Sequence, residues 1–191
     1  IYNNVFNSRY YAITMSAGGA SGSVNIHNNI FNEFDNKTNP IALEVGGSYR
    51  KVSIKDNQFL RKTDSSVMVF VAKIDIDSLI FEGNDVTNGN ITYSYLPTIT
   101  KYCSIRNNIL TNASTILSLS CKMPIYVEKN IFTVINAKNK CLFNINNRQE
   151  QDYIRNNTFD IRKSDGVMLL SQYGYGYSEC QNRLTFTGNI V

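Results

Sequence analysis

The side chains in this chain best able to do chemistry are acids, cations and tyrosines set just ahead of a short recurring motif. Asp75, Asp77, Glu150 and Asp152 are the candidate catalytic carboxyls. Cleavage of a glycosidic bond needs two such groups about 5 to 9.5 Å apart, or, for elimination, a base beside a cation that neutralises a carboxylate on the sugar. Tyr49, Arg50, Lys73, Lys101, Tyr102, Arg148, Tyr173, Tyr175 and Tyr177 are the candidate binding residues. Tyrosine faces stack on sugar rings, and Lys and Arg hold carboxylates or sulfates. A solvated loop face decorated with tyrosine reads the same way, so this set defines a candidate and no more. Asp75 and Asp77 are two apart on a strand and point to one side, which would also suit Ca²⁺, an ion held by oxygen ligands; no other cofactor is expected. Asp152 stands where the repeat otherwise has an apolar residue, and functional sites often sit where a local rule fails.

Other chemistries are excluded by what is missing. The single His, His27, and four dispersed Cys do not make a zinc site or a conventional triad. The run Gly18-Gly19-Ala20-Ser21-Gly22 lacks the Lys and helix of a phosphate loop and reads as a turn. A net charge of +4 without a binding motif gives no nucleic-acid partner. The longest apolar run, Val67 to Ala72, is too short to insert in a membrane. Cys103, Cys121 and Cys141 fall at inward positions and Cys180 in a loop. They read as free, buried thiols, with a Cys121–Cys141 bridge between neighbouring coils left open.

The elements that position these residues come from a repeat. The chain has 191 residues, 26 of them Asn, a residue that favours bends over strand or helix interiors. Eight of them, Asn4, Asn29, Asn57, Asn84, Asn108, Asn130, Asn157 and Asn189, share a motif of alternating apolar residues, Asn, any residue and an apolar residue, as in Val52-Ser53-Ile54-Lys55-Asp56-Asn57-Gln58-Phe59. Ile, Val or Phe stands three places before each Asn, and Phe, Val or Leu two places after it. The intervals are 25, 28, 27, 24, 22, 27 and 32 residues. Second alternating runs follow, such as Ile41-Leu43-Val45 and Cys141-Phe143-Ile145, and nothing holds helical spacing. A period in the twenties with short strands and no helix describes a coil stacked on itself.

In such a stack equivalent residues lie about 4.8 Å apart. The Asn is expected to take the left-handed corner and to bond along the stack through its amide, helped by corner chemistry at the residue before it. Phe6, Phe31, Phe59, Phe132 and Phe159 should form an inner aromatic column. The outward position two before the Asn reads Tyr2, His27, Lys55, Glu82, Arg106, Glu128, Arg155, Thr187, a ladder of alternating charge from Lys55 to Arg155.

The recurring corner resembles that of the right-handed parallel β-helices of the pectate-lyase-like superfamily, which holds polysaccharide lyases, glycoside hydrolases, epimerases and phage tailspike depolymerases. The resemblance covers the whole chain and implies an all-β fold: a right-handed, single-stranded parallel β-helix of about seven coils of roughly 26 residues. No catalytic signature of that group maps onto these residues. Both ends of the chain fall inside a corner motif, so residues 1–191 read as one β-helix segment of a longer, capped chain. The resemblance implies an extracellular, cell-surface or virion location, a polysaccharide partner, anionic given the cations above, and a homotrimer if tailspike-like. The expected function is polysaccharide binding or degradation, by a lyase or a hydrolase. The competing expectation is a non-catalytic stalk or adhesin solenoid, and binding without turnover would describe a lectin-like module.

Overall fold

The computed structural model describes residues 1–7, 12–16, 22–32, 41–46, 49–60, 68–72, 76–88, 99–111, 117–121, 124–135, 141–147, 151–165, 167–172 and 184–191. Among them there is no helix, and the strands pair in parallel. Alternating apolar residues make a strand with one buried face, and a chain that coils back onto itself every few dozen residues can pair such strands only in parallel.

One side of the coil stacks seven strands: β1 (Val5–Asn7), β4 (Ile30–Asn32), β7 (Gln58–Leu60), β10 (Asp85–Thr87), β12 (Ile109–Thr111), β15 (Ile131–Ile135) and β18 (Thr158–Arg162). A second side stacks β3 (Ser23–His27), β6 (Tyr49–Lys55), β9 (Ile76–Glu82), β11 (Ile99–Arg106), β14 (Ile125–Glu128), β17 (Asp152–Arg155) and β20 (Leu184–Thr187). The third side comes in two blocks of three. These are β2 (Ile13–Ser16), β5 (Ile41–Gly46) and β8 (Met68–Ala72), then β13 (Leu117–Cys121), β16 (Cys141–Asn147) and β19 (Met168–Gln172). The molecule is thus an all-β parallel solenoid, and its crossovers fit the right-handed sense that parallel connections take. Full three-sided turns are traced in blocks of about three and not as seven uniform coils. The Asn spacing reports only the corner between the first two sides, which is why it does not count complete turns.

That corner holds the repeat together. The Asn side chains are buried, each 1% exposed from Asn29 to Asn157. The Nδ2 of each donates to the Oδ1 of the next: Asn29 to Asn57 at 3.0 Å, Asn57 to Asn84 at 3.1 Å, Asn84 to Asn108 at 3.1 Å and Asn108 to Asn130 at 2.9 Å. The same Oδ1 also accepts the backbone N–H of the Asn one coil earlier, as from Asn84 to Asn108 at 2.9 Å. Nδ2 donates backward too, to the carbonyl of the core residue three places before the preceding Asn, as from Asn108 to Phe81 at 3.0 Å. Buried amides are tolerated because their polar atoms are bonded.

The left-handed residue is not the ladder Asn but its predecessor. Asn3, Asn28, Asp56, Gly83, Asn107, Lys129, Asn156 and Gly188 have φ between 53° and 67°. This corrects the expectation, and the reason is geometric: the amide must turn inward to bond along the stack, so the bend falls one residue earlier. Gly, Asn and Asp carry that backbone most readily. At Gly83 there is a second reason for glycine. A Cβ there would lie 2.2 Å from Asp56 Oδ1 of the preceding coil, and Gly188 meets Asn156 Oδ1 in the same way.

Inside, Ile26, Ile54, Phe81, Ile105, Val127 and Ile154 face Phe31, Phe59, Val86, Leu110, Phe132 and Phe159, and all are buried. The aromatic column exists in two stretches. Phe6, Phe31 and Phe59 stack with centroids 5.0 and 4.6 Å apart, and Phe81, from the facing side, continues the column at 6.4 Å where Val86 interrupts it. Phe132 and Phe159 stack at 5.2 Å. Cys103 is a free, buried thiol. Cys121 pairs in register with Asn147, six residues along β16 from Cys141. At about 3.3 Å per residue that is roughly 20 Å, far beyond the Cα separation of a disulfide.

Candidate functional site

The outer face of the second side is where the described chemistry collects. Residues four and two places before the ladder Asn both point outward on these strands, so they form two neighbouring columns. In register, Ser104, Tyr126, Tyr153 and Thr185 make one, and Arg106, Glu128, Arg155 and Thr187 the other. The Tyr126 and Tyr153 rings stack at 5.0 Å with 2° between planes, and Tyr102 leans on Tyr126 at 5.8 Å. The Arg106 guanidinium lies 5.6 Å from the Tyr126 ring centre, and that of Arg155 lies 4.8 Å from Tyr153. Both close on Glu128: Arg106 Nε at 2.9 Å from Oε2, and Arg155 donating to Oε1 from Nε at 2.8 Å and also from Nη2. Glu128 is only 13% exposed, against 34% and 37% for its two partners. The unit is a carboxylate enclosed by two arginines, each laid against a tyrosine, with one positive charge in excess.

The charge ladder continues toward the N-terminal coils. Lys55 Nζ is 2.6 Å from Glu82, and Glu82 is also held by Asn107. The hydrogen bond from Lys55 holds the Glu82 carboxyl below its ordinary value, against some desolvation; the charge of Lys55, Asn107 and Arg106 add to the lowering. Past the ladder, Tyr2 stacks on His27 at 5.2 Å. The alternation expected of these outward positions is present as paired side chains.

The sequence-derived candidates divide by place. Asp77 accepts hydrogen bonds from Lys101 Nζ at 2.7 Å and Thr100 Oγ1 at 2.8 Å. The Lys101 bond, then the Thr100 bond, lowers its pKa, and the charges of Lys101 and Arg50 add to this. Arg50 and Lys101 are exposed, and Tyr102 is half-buried against Tyr126. Tyr49 is also half-buried but packs against the core. Asp152 is wholly buried, where its Oδ1 accepts the Ile125 N–H at 3.2 Å. Lys73, Asp75, Arg148, Glu150, Tyr173, Tyr175 and Tyr177 lie outside the described residues.

Asp77 and Asp152 therefore do not form a carboxyl pair. They lie on opposite faces of the sheet, with β11 and β14 between their strands, and three strand steps make roughly 14 Å. Proton donation to a leaving group near neutral pH needs a raised carboxyl pKa, whereas Asp77 and Glu82 are both lowered. They act as carboxylates. Of the Asp75–Asp77 pair weighed for Ca²⁺ only Asp77 is described, and it is held by Lys101 and Thr100. No group of three His, Cys, Asp or Glu able to hold a metal occurs among the described residues. No helix among them is long and apolar enough to cross a membrane.

Sequence reasoning missed Tyr126 and Tyr153. The signal was available, since both stand four places before a ladder Asn, but that column mixes Asn25, Ser53, Ile80 and Ser104 with tyrosine. Fold and site together define a parallel β-solenoid with a buried asparagine ladder and a tyrosine–arginine face. No protein-family model, curated protein or solved structure matches the chain.

Proposed function

We propose that this chain is a carbohydrate-engaging segment of a parallel β-helix, binding an anionic polysaccharide on the outer face of its second side. The observation that carries the reading is the adjacent pairing of Tyr126 with Arg106 and of Tyr153 with Arg155. Phenolic hydroxyls and ring edges repeat at the strand spacing beside part-exposed guanidinium groups, each a planar fork of N–H donors. Exposed Arg50 and Lys101 both act on Asp77 and leave one positive charge in excess there as well. In this reading the chain belongs with the pectate-lyase-like β-helices, of the surface-polysaccharide lyase or tailspike type, and works outside the cell or on a virion. A trimer follows only if the tailspike likeness holds.

Titration calorimetry against a panel of acidic oligosaccharides tests this. Tyr153→Ala is expected to weaken binding about tenfold by removing both the ring and the seat of Arg155. Unchanged affinity in both Tyr153→Ala and Arg155→Ala removes the reading. Release of unsaturated uronate ends or reducing ends from the same panel reports lyase or hydrolase turnover.

A second reading is favoured by the carboxyl chemistry. Asp77 and Glu82 are held ionised by cations and Asp152 is buried, an arrangement suited to binding without turnover or to a rigid stalk. Binding with no new chain ends supports the first of these, and absence of binding supports the second.

A further inference from the structure

We infer that the charge ladder selects an alternating polysaccharide, one with a carboxylate on every second sugar, over a polymer charged at every sugar. The inference rests on the carbohydrate reading above and concerns only the choice of ligand. Lys55, Glu82, Arg106, Glu128 and Arg155 stand directly opposite one another on five successive strands. Strand positions that bear a cation therefore recur every second strand, roughly 9.6 Å apart, with a carboxylate-bearing position midway toward which the cations lean. A pyranose linked through equatorial positions advances its chain by about one strand spacing, so a polysaccharide lying along the solenoid axis places one sugar on each step.

With a charge on alternate sugars, the carboxylates of the ligand meet Lys55, Arg106 and Arg155. The neutral sugars between them present hydroxyl or acetamido donors, whose hydrogen bonds Glu82 can accept. With a charge on every sugar, a carboxylate must face the part-exposed Glu82, and like charges set opposite each other are unfavourable; Glu128, enclosed by two arginines, weighs less. Lys55, Arg106 and Arg155 keep side-chain exposures of 40%, 34% and 37%, and Glu82 keeps 34%, so these four can be reached from solvent. Glu128 is more enclosed and contributes its field more than direct contact.

The test compares size-matched oligosaccharides of hyaluronan, which alternates a uronate with an N-acetylhexosamine, of polymannuronate, charged at each sugar and likewise linked through equatorial positions, and of neutral cellodextrin. Binding is measured at low ionic strength, where exposed charges are least screened. The expected result is a preference of up to about fivefold for hyaluronan over polymannuronate, chiefly from the like-charge contact at Glu82 avoided. Glu82→Gln with Glu128→Gln should raise polymannuronate affinity and remove the preference. Glu82→Gln alone, at the more exposed step, should remove part of it and serves if the double variant does not fold. Equal affinity for the two acidic polymers in the native chain, or a preference that survives both variants, overturns the inference and leaves carbohydrate binding standing. Failure of both acidic polymers to bind overturns the carbohydrate reading, and this one with it.

Discussion

Two columns run side by side along the same corner, two residues apart in every coil, and they obey different physics. The inner column repeats one residue; the outer one changes at each step, from His27 through Lys55, Glu82 and Arg106 to Arg155. Asn84 is 1% exposed and bonded to the coils on both sides, while Glu82 beside it is 34% exposed. A buried amide can be repeated without limit because it is neutral and its own donors fit its own acceptor in the next copy. A charge cannot be repeated on adjacent strands without repulsion, so the outer column must alternate. Inside, sameness stabilises; outside, difference does.

The sharpest way to break this contrast is Asn108→Ala. It leaves the backbone N–H and Nδ2 of Asn84 without their acceptor and the Phe81 carbonyl without its donor, a loss of about 3 kcal/mol or more since these groups are buried. The same change at Asn4, which is exposed, should cost well under half as much. Equal urea midpoints for the two would show that burial is not what makes the ladder matter. Next comes Gly83→Ala, expected to destabilise by about 1–2 kcal/mol from its left-handed φ and the collision with Asp56. Repeating it in an Asp56→Ala background should recover the steric part, so a double-mutant cycle with no coupling would contradict the contact.

Smaller effects belong to the outer column. Glu128→Gln leaves Arg106 and Arg155 facing a neutral amide and should cost about 1 kcal/mol, with much of it lost in molar salt, where screening is strong. A salt-independent loss would move Glu128 into the class of the inner column. The smallest effect is that of pH. The folded-state pKa of Glu82 is lowered, so its contribution is full above the ordinary carboxylate value and fades as pH falls through the lowered one. The stability difference between the native chain and Glu82→Gln should therefore shrink on acidification. A difference that grows would reverse the sign of the Lys55 interaction.

What could be read from the residues was whatever repeats in register with Asn. The buried ladder, the outward charges and the Phe6–Phe31–Phe59 stack all sit at fixed offsets from it and were legible. The left-handed position was legible in principle, since Asn28, Asp56, Gly83 and Asn107 are the types that tolerate it, but Lys129 hides the rule. The third side was legible as second alternating runs, of which Ile41-Leu43-Val45 and Cys141-Phe143-Ile145 are β5 and β16, but its division into two blocks was not, because those strands follow connections of unequal length and carry no marker residue. Phe81 filling the gap at Val86 needed the facing side in place, and the Tyr126–Tyr153 pair, though at a fixed offset from Asn130 and Asn157, was hidden in a column of otherwise mixed residues. Asp152 was picked out as a departure from the apolar rule, and it is one, but its carboxylate caps Ile125 from within the core.

The inner ladder also has a direction. From Asn4 to Asn189 every step passes a backbone N–H and an Nδ2–H to an oxygen on the C-terminal side. The two surfaces of any one coil are therefore unlike, as the two ends of a magnet are. A coil turned over would set donor against donor, so each folded turn dictates which way up the next can settle. Orientation along the axis is transmitted by seven amide handshakes, each reading only its neighbour.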